Sequence, residues 1–204
     1  MNTTTQIHPT AVINEPFRHF QGGKEPVDIQ YRTGSFGHGV SIGAGAVIGI
    51  GVILEDGVVI DHQCIIEPNA TVGRDTLLTY RAIVGNEAII GSNCVIGGFI
   101  AERCVIGNDC RIFGQLVHRQ TDTTQSWDEH ETPELSAQVF YQSFIGFGAV
   151  IAGGINIGPK SYICAGAIIT RDVPPGHIAS GINRIVPASE WRGDLQANPL
   201  FTAA

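Results

Sequence analysis

An aliphatic residue recurs at every sixth position over most of this chain, and this period constrains the fold more than any other feature of the sequence. Steps of six from Ile42 to Ile96 land on an aliphatic residue each time. The frame then slips by two, resumes from Ile100 to Ile112, and returns after an interruption from Ile145 to Ile169. This period matches neither the 3.6 residues of a helical turn nor the alternation of an isolated strand. It predicts a short strand and a tight corner, repeated around a prism.

The positions between the aliphatic residues follow a pattern of their own. Four positions after each aliphatic residue stands a mostly small one, such as Ala46 or Ala70, and glycine or an acidic residue commonly follows the aliphatic. The small residue would let the corner close, and glycine would tolerate unusual backbone angles there. We therefore expect coils that stack in parallel register about 4.8 Å apart, each burying the apolar face of its neighbour.

The five cysteines fit the repeat as packing residues. Four of them occupy the small-residue position, namely Cys64, Cys94, Cys104 and Cys110, and Cys164 follows an aliphatic residue. An odd number of cysteines in a chain that begins with the polar stretch MNTTTQ, which is no secretory signal, does not indicate a disulfide framework. We expect buried free thiols in a cytoplasmic protein.

Composition excludes several other classes of protein. A chain of 204 residues with 26 glycines and 7% aromatic residues suits one domain without a large helical core. The net charge of −7 and the lack of a basic stripe give no reason to expect a nucleic-acid surface. No apolar stretch reaches the roughly 18 residues that a membrane span requires.

We interpret residues 1–204 as a single β-helix domain with two insertions and a cap. Segments 14–35 and 118–144 break the repeat and are predicted to be loops that project from the prism. Near the C-terminus, the stretch PASEWRGDL at 187–195 predicts a short helical cap, because Pro187 suits the first position of a helix.

The repeat resembles that of the hexapeptide-repeat acyltransferases. The stretches IGAGAVIGIGVI, IIGSNCVIGG and VIGNDCRI are similar to the family's aliphatic-Gly-x-x-small-x unit. The resemblance implies an all-β fold, a left-handed parallel β-helix of triangular section, which is an exception to the right-handed crossover rule. It also implies a homotrimer with active sites between subunits.

His118 is the leading candidate for a catalytic residue. In the stretch IFGQLVHRQTD it stands six positions after Ile112, where the next aliphatic residue is due, and a polar acidic segment follows. An imidazole, with a pKa near 6.5, can remove a proton from a hydroxyl or amine near neutral pH. The resemblance to xenobiotic and sugar acetyltransferases of this superfamily points to the same histidine. Several carboxylates that could orient it follow in the sequence, and none is singled out: Asp122, Asp128, Glu129, Glu131 and Glu134.

The acyl donor implied by the resemblance is acetyl-CoA or another acyl-CoA. The stretch YICAGAIITRDVPPG is similar to the family segment that lines the pantetheine and phosphate path. By this match Ala165, Gly166, Thr170 and Arg171 are candidate CoA-binding residues. Lys160 and Arg184 are added because the adenosine end of CoA is polyanionic. No metal is expected.

These observations predict a CoA-dependent acyltransferase that modifies a hydroxyl or amine of a small polar acceptor, such as a sugar, sugar nucleotide or antibiotic. Two alternatives stay open at the level of sequence. One is a metalloenzyme like the γ-class carbonic anhydrases, which requires three converging histidines. The other is a β-helix that serves only as a scaffold. Neither a nucleic acid nor a membrane is expected as a partner.

Overall fold

A computed structural model describes residues 4–15, 32–119 and 135–202, and within these ranges the protein is a parallel β-solenoid. Short strands stack into three sheets, which the chain visits in turn. Each strand pairs in parallel with the strand three further along the chain, except that Tyr162–Ile163 pairs with His177–Ser180, two further along. This all-β architecture agrees with the left-handed parallel β-helix that the sequence predicts. We call the turns from sheet 1 to sheet 2 the 1–2 edge, and name the 2–3 and 3–1 edges likewise.

The strands have the following bounds. Sheet 1 contains Gln6–Ile7, Ser41–Ile42, Val59–Ile60, Leu77–Leu78, Val95–Ile96, Arg111–Ile112, Phe144–Ile145, Tyr162–Ile163, His177–Ser180 and Arg184–Pro187. Sheet 2 contains Val12–Glu15, Val47–Gly49, Ile65–Ile66, Ile83–Val84, Phe99–Ile100, Gln115–Val117, Val150–Ala152 and Ile168–Ile169. Sheet 3 contains Ser35–Phe36, Ile53–Leu54, Thr71–Val72, Ile89–Ile90, Val105–Ile106, Gln138–Val139 and Asn156–Ile157.

The repeating aliphatic residues form the core. Ile48, Ile66 and Ile96, like the other members of the series from Ile42 to Ile169, have almost no exposed surface. Burial of one such side chain contributes about 1.5–3 kcal/mol relative to leaving it in water. The predicted role of the six-residue period is therefore confirmed. The small-residue position is also confirmed, since Ala46, Ala82 and their counterparts are buried at the corners.

Backbone hydrogen bonds join each coil to the next. The Ser41 N–H donates to the Val58 carbonyl at 2.9 Å, and the Gly43 N–H donates to the Ile60 carbonyl at 2.8 Å. The same pattern repeats around each coil, so strands of only two residues still satisfy their polar groups. At the turns the chain enters the left-handed region, with glycine at Gly45 (φ 64°) but also with Gln63 (φ 58°).

Two turns on the 1–2 edge are shorter than the others by two residues. After Ile96 the next strand begins at Phe99, and after Ile112 it begins at Gln115. The interior residue that follows Ile112 is therefore Leu116, which is fully buried. The expectation that His118 stands on the step of an interior aliphatic residue is wrong, because the frame slips a second time.

The first insertion lies within residues 16–31, outside the described residues, and the second within residues 120–134, also outside them. The repeat returns earlier than the sequence predicts, because Gln138–Val139 already forms a strand of sheet 3 inside the segment 118–144. Both insertions connect sheet 2 to sheet 3, so both leave the solenoid on the 2–3 edge. Their starting strands are five strand spacings apart in sheet 2, or about 24 Å.

The C-terminal end is closed by a hairpin rather than by one helix. Strand Arg184–Pro187 pairs antiparallel with His177–Ser180, and two 3-10 turns follow at Ala188–Glu190 and Asp194–Ala197. A single α-helical turn spans Pro199–Thr202. The predicted helical cap at 187–195 is thus made of 3-10 turns that begin after Pro187. Within the described ranges, no helix has the length and apolarity to cross a membrane.

We predict that Gly98→Ala destabilises the fold far more than Gly148→Ala. A Cβ atom at Gly98 would overlap the carbonyl oxygen of Gly114 in the neighbouring short turn, and such overpacking costs about 1–3 kcal/mol or more. A Cβ atom at Gly148 meets nothing within 4 Å, so only its left-handed backbone (φ 67°) adds strain, about 1–2 kcal/mol. Thermal and urea unfolding of both variants measure the difference, and equal losses of stability would contradict the close stacking of the short turns.

Candidate functional site

His118 lies on the 2–3 edge, at the point where the second insertion leaves the solenoid. It directly follows strand Gln115–Val117, whose last carbonyl accepts a hydrogen bond from the Gly153 N–H at 2.9 Å. The imidazole is half-buried, and its Nε2 atom is buried. A strand end fixed by the ladder therefore holds this histidine at a defined height on the edge.

The strand register places other residues level with His118 on neighbouring coils. Leu116 pairs with Ile100 on one side and with Ile151 on the other, and Ile151 pairs with Ile169. Two positions beyond these residues stand Glu102, Gly153 and Arg171. These three residues therefore lie in one column with His118, at intervals of about 4.8 Å per coil.

A glycine pair opens a small cavity beside this column. Gly153 and Gly154 line a cavity of about 70 Å³ together with Arg119 and Leu135, the two residues that flank the second insertion. A Cβ atom at Gly154 would overlap the Leu135 side chain, and Gly153 adopts φ 91° with a Cβ position 3.1 Å from the Cβ of Arg119. Only residues without side chains fit here, so the pair lets both ends of the insertion lie against the coil.

The chain returns from the second insertion by a specific contact. The Ser136 hydroxyl donates to the Glu102 carbonyl at 2.6 Å, one coil before His118. Glu102 is half-buried and is not among the carboxylates that the sequence singled out near His118. Those five, from Asp122 to Glu134, lie outside the described residues. The sequence would place Glu102 one coil before His118 only if the number of residues per coil in this region were already known.

Thr170 and Arg171, two of the predicted CoA-binding residues, share the 2–3 edge with His118. Asn183 of the C-terminal hairpin turn holds them. Its Oδ1 accepts from the Thr170 N–H at 2.9 Å, its Nδ2 donates to the Thr170 hydroxyl at 2.8 Å, and its carbonyl accepts from the Arg171 guanidinium at 2.6 Å. Arg171 remains exposed, so its guanidinium can still meet an anion. Sequence reasoning missed Asn183, which adopts φ 53°, a conformation that asparagine tolerates.

The other predicted CoA-binding residues lie elsewhere in the chain. Ala165 and Gly166 are on the 1–2 edge, and Lys160 is on the 3–1 edge. Arg184 stacks on the Trp191 ring at 5.0 Å and lies near Cys164, whose pKa is raised by burial and lowered in part by this guanidinium. One chain therefore brings only Thr170 and Arg171 to the edge of His118.

The histidines that the structure describes do not assemble as the metalloenzyme alternative requires. His62 lies on the 1–2 edge, three coils before His118, and its Nδ1 accepts from the Ala44 N–H at 2.8 Å. Over residues 4–15, 32–119 and 135–202, no three histidine, cysteine or acidic side chains group as metal ligands.

Comparison with known proteins links the chain to transferases. A family model described as the hexapeptide repeat of succinyl-transferase matches residues 35–62 and 142–171. A Schizosaccharomyces pombe protein whose name describes it as a candidate acetyltransferase is 45% identical over 38 residues, which is 19% of this chain and 18% of that protein. The chain thus matches less than a fifth of this relative.

Two solved structures are similar to this chain at low identity. The UDP-N-acetylglucosamine acyltransferase from Campylobacter jejuni is 16% identical over 88% of this chain and 73% of its own, with a TM-score of 0.41. PerB from Caulobacter crescentus, solved with CoA and GDP-perosamine, is 17% identical over 91% of this chain and 58% of its own, with a TM-score of 0.40.

We predict that Asn183→Ala lowers the free energy of unfolding by about 2–3 kcal/mol, because two side-chain hydrogen bonds are lost and alanine is strained in the left-handed region. Asn183→Gly is the matched control, since glycine loses the same bonds without the strain. Urea unfolding of both variants measures the two contributions. A fully stable Asn183→Ala protein would contradict the role of this residue.

Proposed function

We propose that this chain, which carries the hexapeptide repeat of the left-handed β-helix acyltransferase superfamily, is an acyl-CoA-dependent acyltransferase. Its acceptor is a hydroxyl or amine of a small polar molecule, such as a sugar, sugar nucleotide or antibiotic, and acetyl is the simplest acyl group. The five free cysteines support the proposal that the protein functions in a reducing compartment such as the cytoplasm.

The observation that carries this proposal is the arrangement on the 2–3 edge. A histidine stands where the solenoid opens into an insertion, beside a glycine-lined cavity of about 70 Å³. In the same column, about two strand spacings further along, an exposed arginine can bind an anionic group. A base, a space and a cation on one rigid edge are what transfer from an anionic donor to a neutral acceptor requires.

Each residue of the edge has a distinct task in the reaction. Acyl-CoA supplies the acyl group as a thioester, and Arg171 with Thr170 binds its phosphates. His118 removes the proton from the acceptor as the acceptor oxygen or nitrogen bonds to the carbonyl carbon. When the carbon–sulfur bond breaks, the imidazolium returns that proton to the departing sulfur. The Gly154 N–H, which donates to no group within the described residues, can face the oxyanion.

A homotrimer with sites between subunits is part of the proposal. The candidate CoA-binding residues of one chain are spread over three edges, so a neighbouring copy is needed to bring a second edge to His118. Exposed apolar residues on the outer faces of the sheets support an interface, such as Val12 (44%) and Phe99 (38%) in sheet 2 and Ile89 (49%) in sheet 3. Light scattering on the purified protein tests the stoichiometry.

His118→Asn is expected to lower turnover by at least about 10²-fold, because a general base contributes roughly 10²–10⁴-fold. The assay follows free thiol released from acetyl-CoA with amino sugars, sugar nucleotides and aminoglycosides as acceptors.

His62→Asn is the matched control for this variant. The asparagine side chain can still accept the hydrogen bond from the Ala44 N–H, so turnover should not change. Normal turnover of a folded His118→Asn protein would exclude His118 as the general base. Loss of activity in both variants would favour the metalloenzyme, and a wild type that does not bind acetyl-CoA in calorimetry would favour the scaffold.

Arg171→Gln is expected to raise the KM for acetyl-CoA about tenfold with little change in kcat. One charge-assisted hydrogen bond to a phosphate contributes roughly 1.5–3 kcal/mol, and solvent exposure reduces this value. Arg192→Gln, at an exposed site beyond the hairpin, is the control. An unchanged KM in Arg171→Gln would exclude a phosphate contact.

A further inference from the structure

A column of small buried residues runs up the inside of the 3–1 edge. Each member precedes a strand of sheet 1 and has at most 1% of its surface exposed. The column begins with two valines and then becomes polar. In chain order it contains Val40, Val58, Thr76, Cys94, Cys110, Ser143 and Ser161.

The polar members of this column share one kind of contact. The hydroxyls of Thr76 and Ser143 donate to carbonyls of the next coil, those of Gly91 and Gly158, at 2.9 and 3.0 Å. The sulfurs of the two cysteines in this column occupy the same position in their turns as these hydroxyl oxygens. Cys94 Sγ lies 3.2 Å from the Gly107 carbonyl oxygen and Cys110 Sγ 3.2 Å from that of Phe140.

Cys94 and Cys110 are register partners on adjacent coils. The residues that follow them, Val95 and Arg111, are paired in sheet 1. Stacked residues in such a ladder lie about 4.8 Å apart, within the Cα range of about 4.4–6.8 Å that a disulfide spans. The neighbouring Cys110 thiol lowers the pKa of Cys94, and the neighbouring Cys94 sulfur raises that of Cys110.

The other three cysteines have no such neighbour. Cys64 and Cys164 lie on the 1–2 edge, five strands apart along it, and Cys104 lies on the 2–3 edge. Burial raises the pKa of both Cys64 and Cys104 to about 11. A cysteine neighbour on the adjacent coil and a lowered thiol pKa thus coincide only at Cys94, whose partner is Cys110.

A surface cavity lies close to this pair. A cavity of about 260 Å³ opens on the 3–1 edge, and Gly107 and Phe140 are among its lining residues. The carbonyls of these two residues are the ones that the thiols contact. Only the backbone of one turn therefore separates the cavity from the two sulfurs, and a molecule as small as a peroxide fits within it.

We propose that Cys94 and Cys110 are an oxidative modification site at which a peroxide forms an intrachain disulfide. The Cys94 thiolate attacks one peroxide oxygen, which breaks the oxygen–oxygen bond and leaves a sulfenic acid. The Cys110 sulfur then attacks the Cys94 sulfur and water departs with the second proton. Two thiols are oxidised, one hydrogen peroxide is reduced to two waters, and the chain loses two hydrogen atoms.

The disulfide links the coil that carries strand Gln115–Val117 and His118 to the coil before it. A dithiol should reverse the bond by thiol–disulfide exchange. This inference is independent of acyl transfer.

The test treats the reduced, folded protein with hydrogen peroxide and alkylates the remaining thiols after unfolding. Mass spectrometry should show a loss of about 2 Da and a peptide pair joined through Cys94 and Cys110, with both thiols restored by dithiothreitol. Cys94→Ser and Cys110→Ser should give no such pair. Both should fold, because serine already occupies this column at Ser143 and Ser161.

Cys104→Ser is the matched control, a buried thiol at another edge, and it should still form the disulfide. Three results would overturn the proposal. Both thiols could remain alkylatable after oxidation, Cys94 could stop at a sulfinic acid, or the disulfide could form through Cys164 between chains.

Discussion

The hydrogen-bond ladder between in-register coils is the interaction on which the rest of this structure depends. Strands of two residues cannot persist alone, because each leaves its N–H and C=O groups without partners. Here the coil on either side supplies those partners, as between Ser41 and Val58. The ladder also aligns the aliphatic residues into a continuous buried column. The strand register and the continuous core therefore both follow from these hydrogen bonds.

The ladder also decides where the chain can vary. Within a strand, an added residue would reverse the inward and outward faces. At a turn, residues can be lost, as at the short turns of Gly98 and Gly114, or added, as in the two insertions. Both insertions leave from the 2–3 edge, and the candidate site lies at one of them. A rigid prism with both insertions on one edge is a suitable support for chemistry, because the edge keeps its geometry while an insertion can supply specificity.

Most of the fold, but less of the site, could be predicted from the sequence. The period identified Ile48 or Ile151 as core residues, since each needs only local spacing and burial. The place of His118 was predicted for a reason that does not hold, because Leu116 takes the interior step after a second slip. The first slip is visible because Ile106 and Ile112 continue the new frame, but no aliphatic residue follows Leu116 at six positions, so the sequence pattern could not reveal the second slip. Asn183 and Glu102 reach their neighbours through register, which spacing in the chain does not disclose.

By itself, the sequence determined that this protein is a stack of six-residue units with aliphatic residues inside, small residues at the corners and thiols that pack. The tertiary structure alone decided which residues share an edge or a column: His118 with Arg171 on one edge, and Cys94 with Cys110 in one column. The physical reason is that periodicity sets which way each side chain points. Which residues lie level on neighbouring coils depends on the number of residues in each coil. The two short turns and the two insertions change that number.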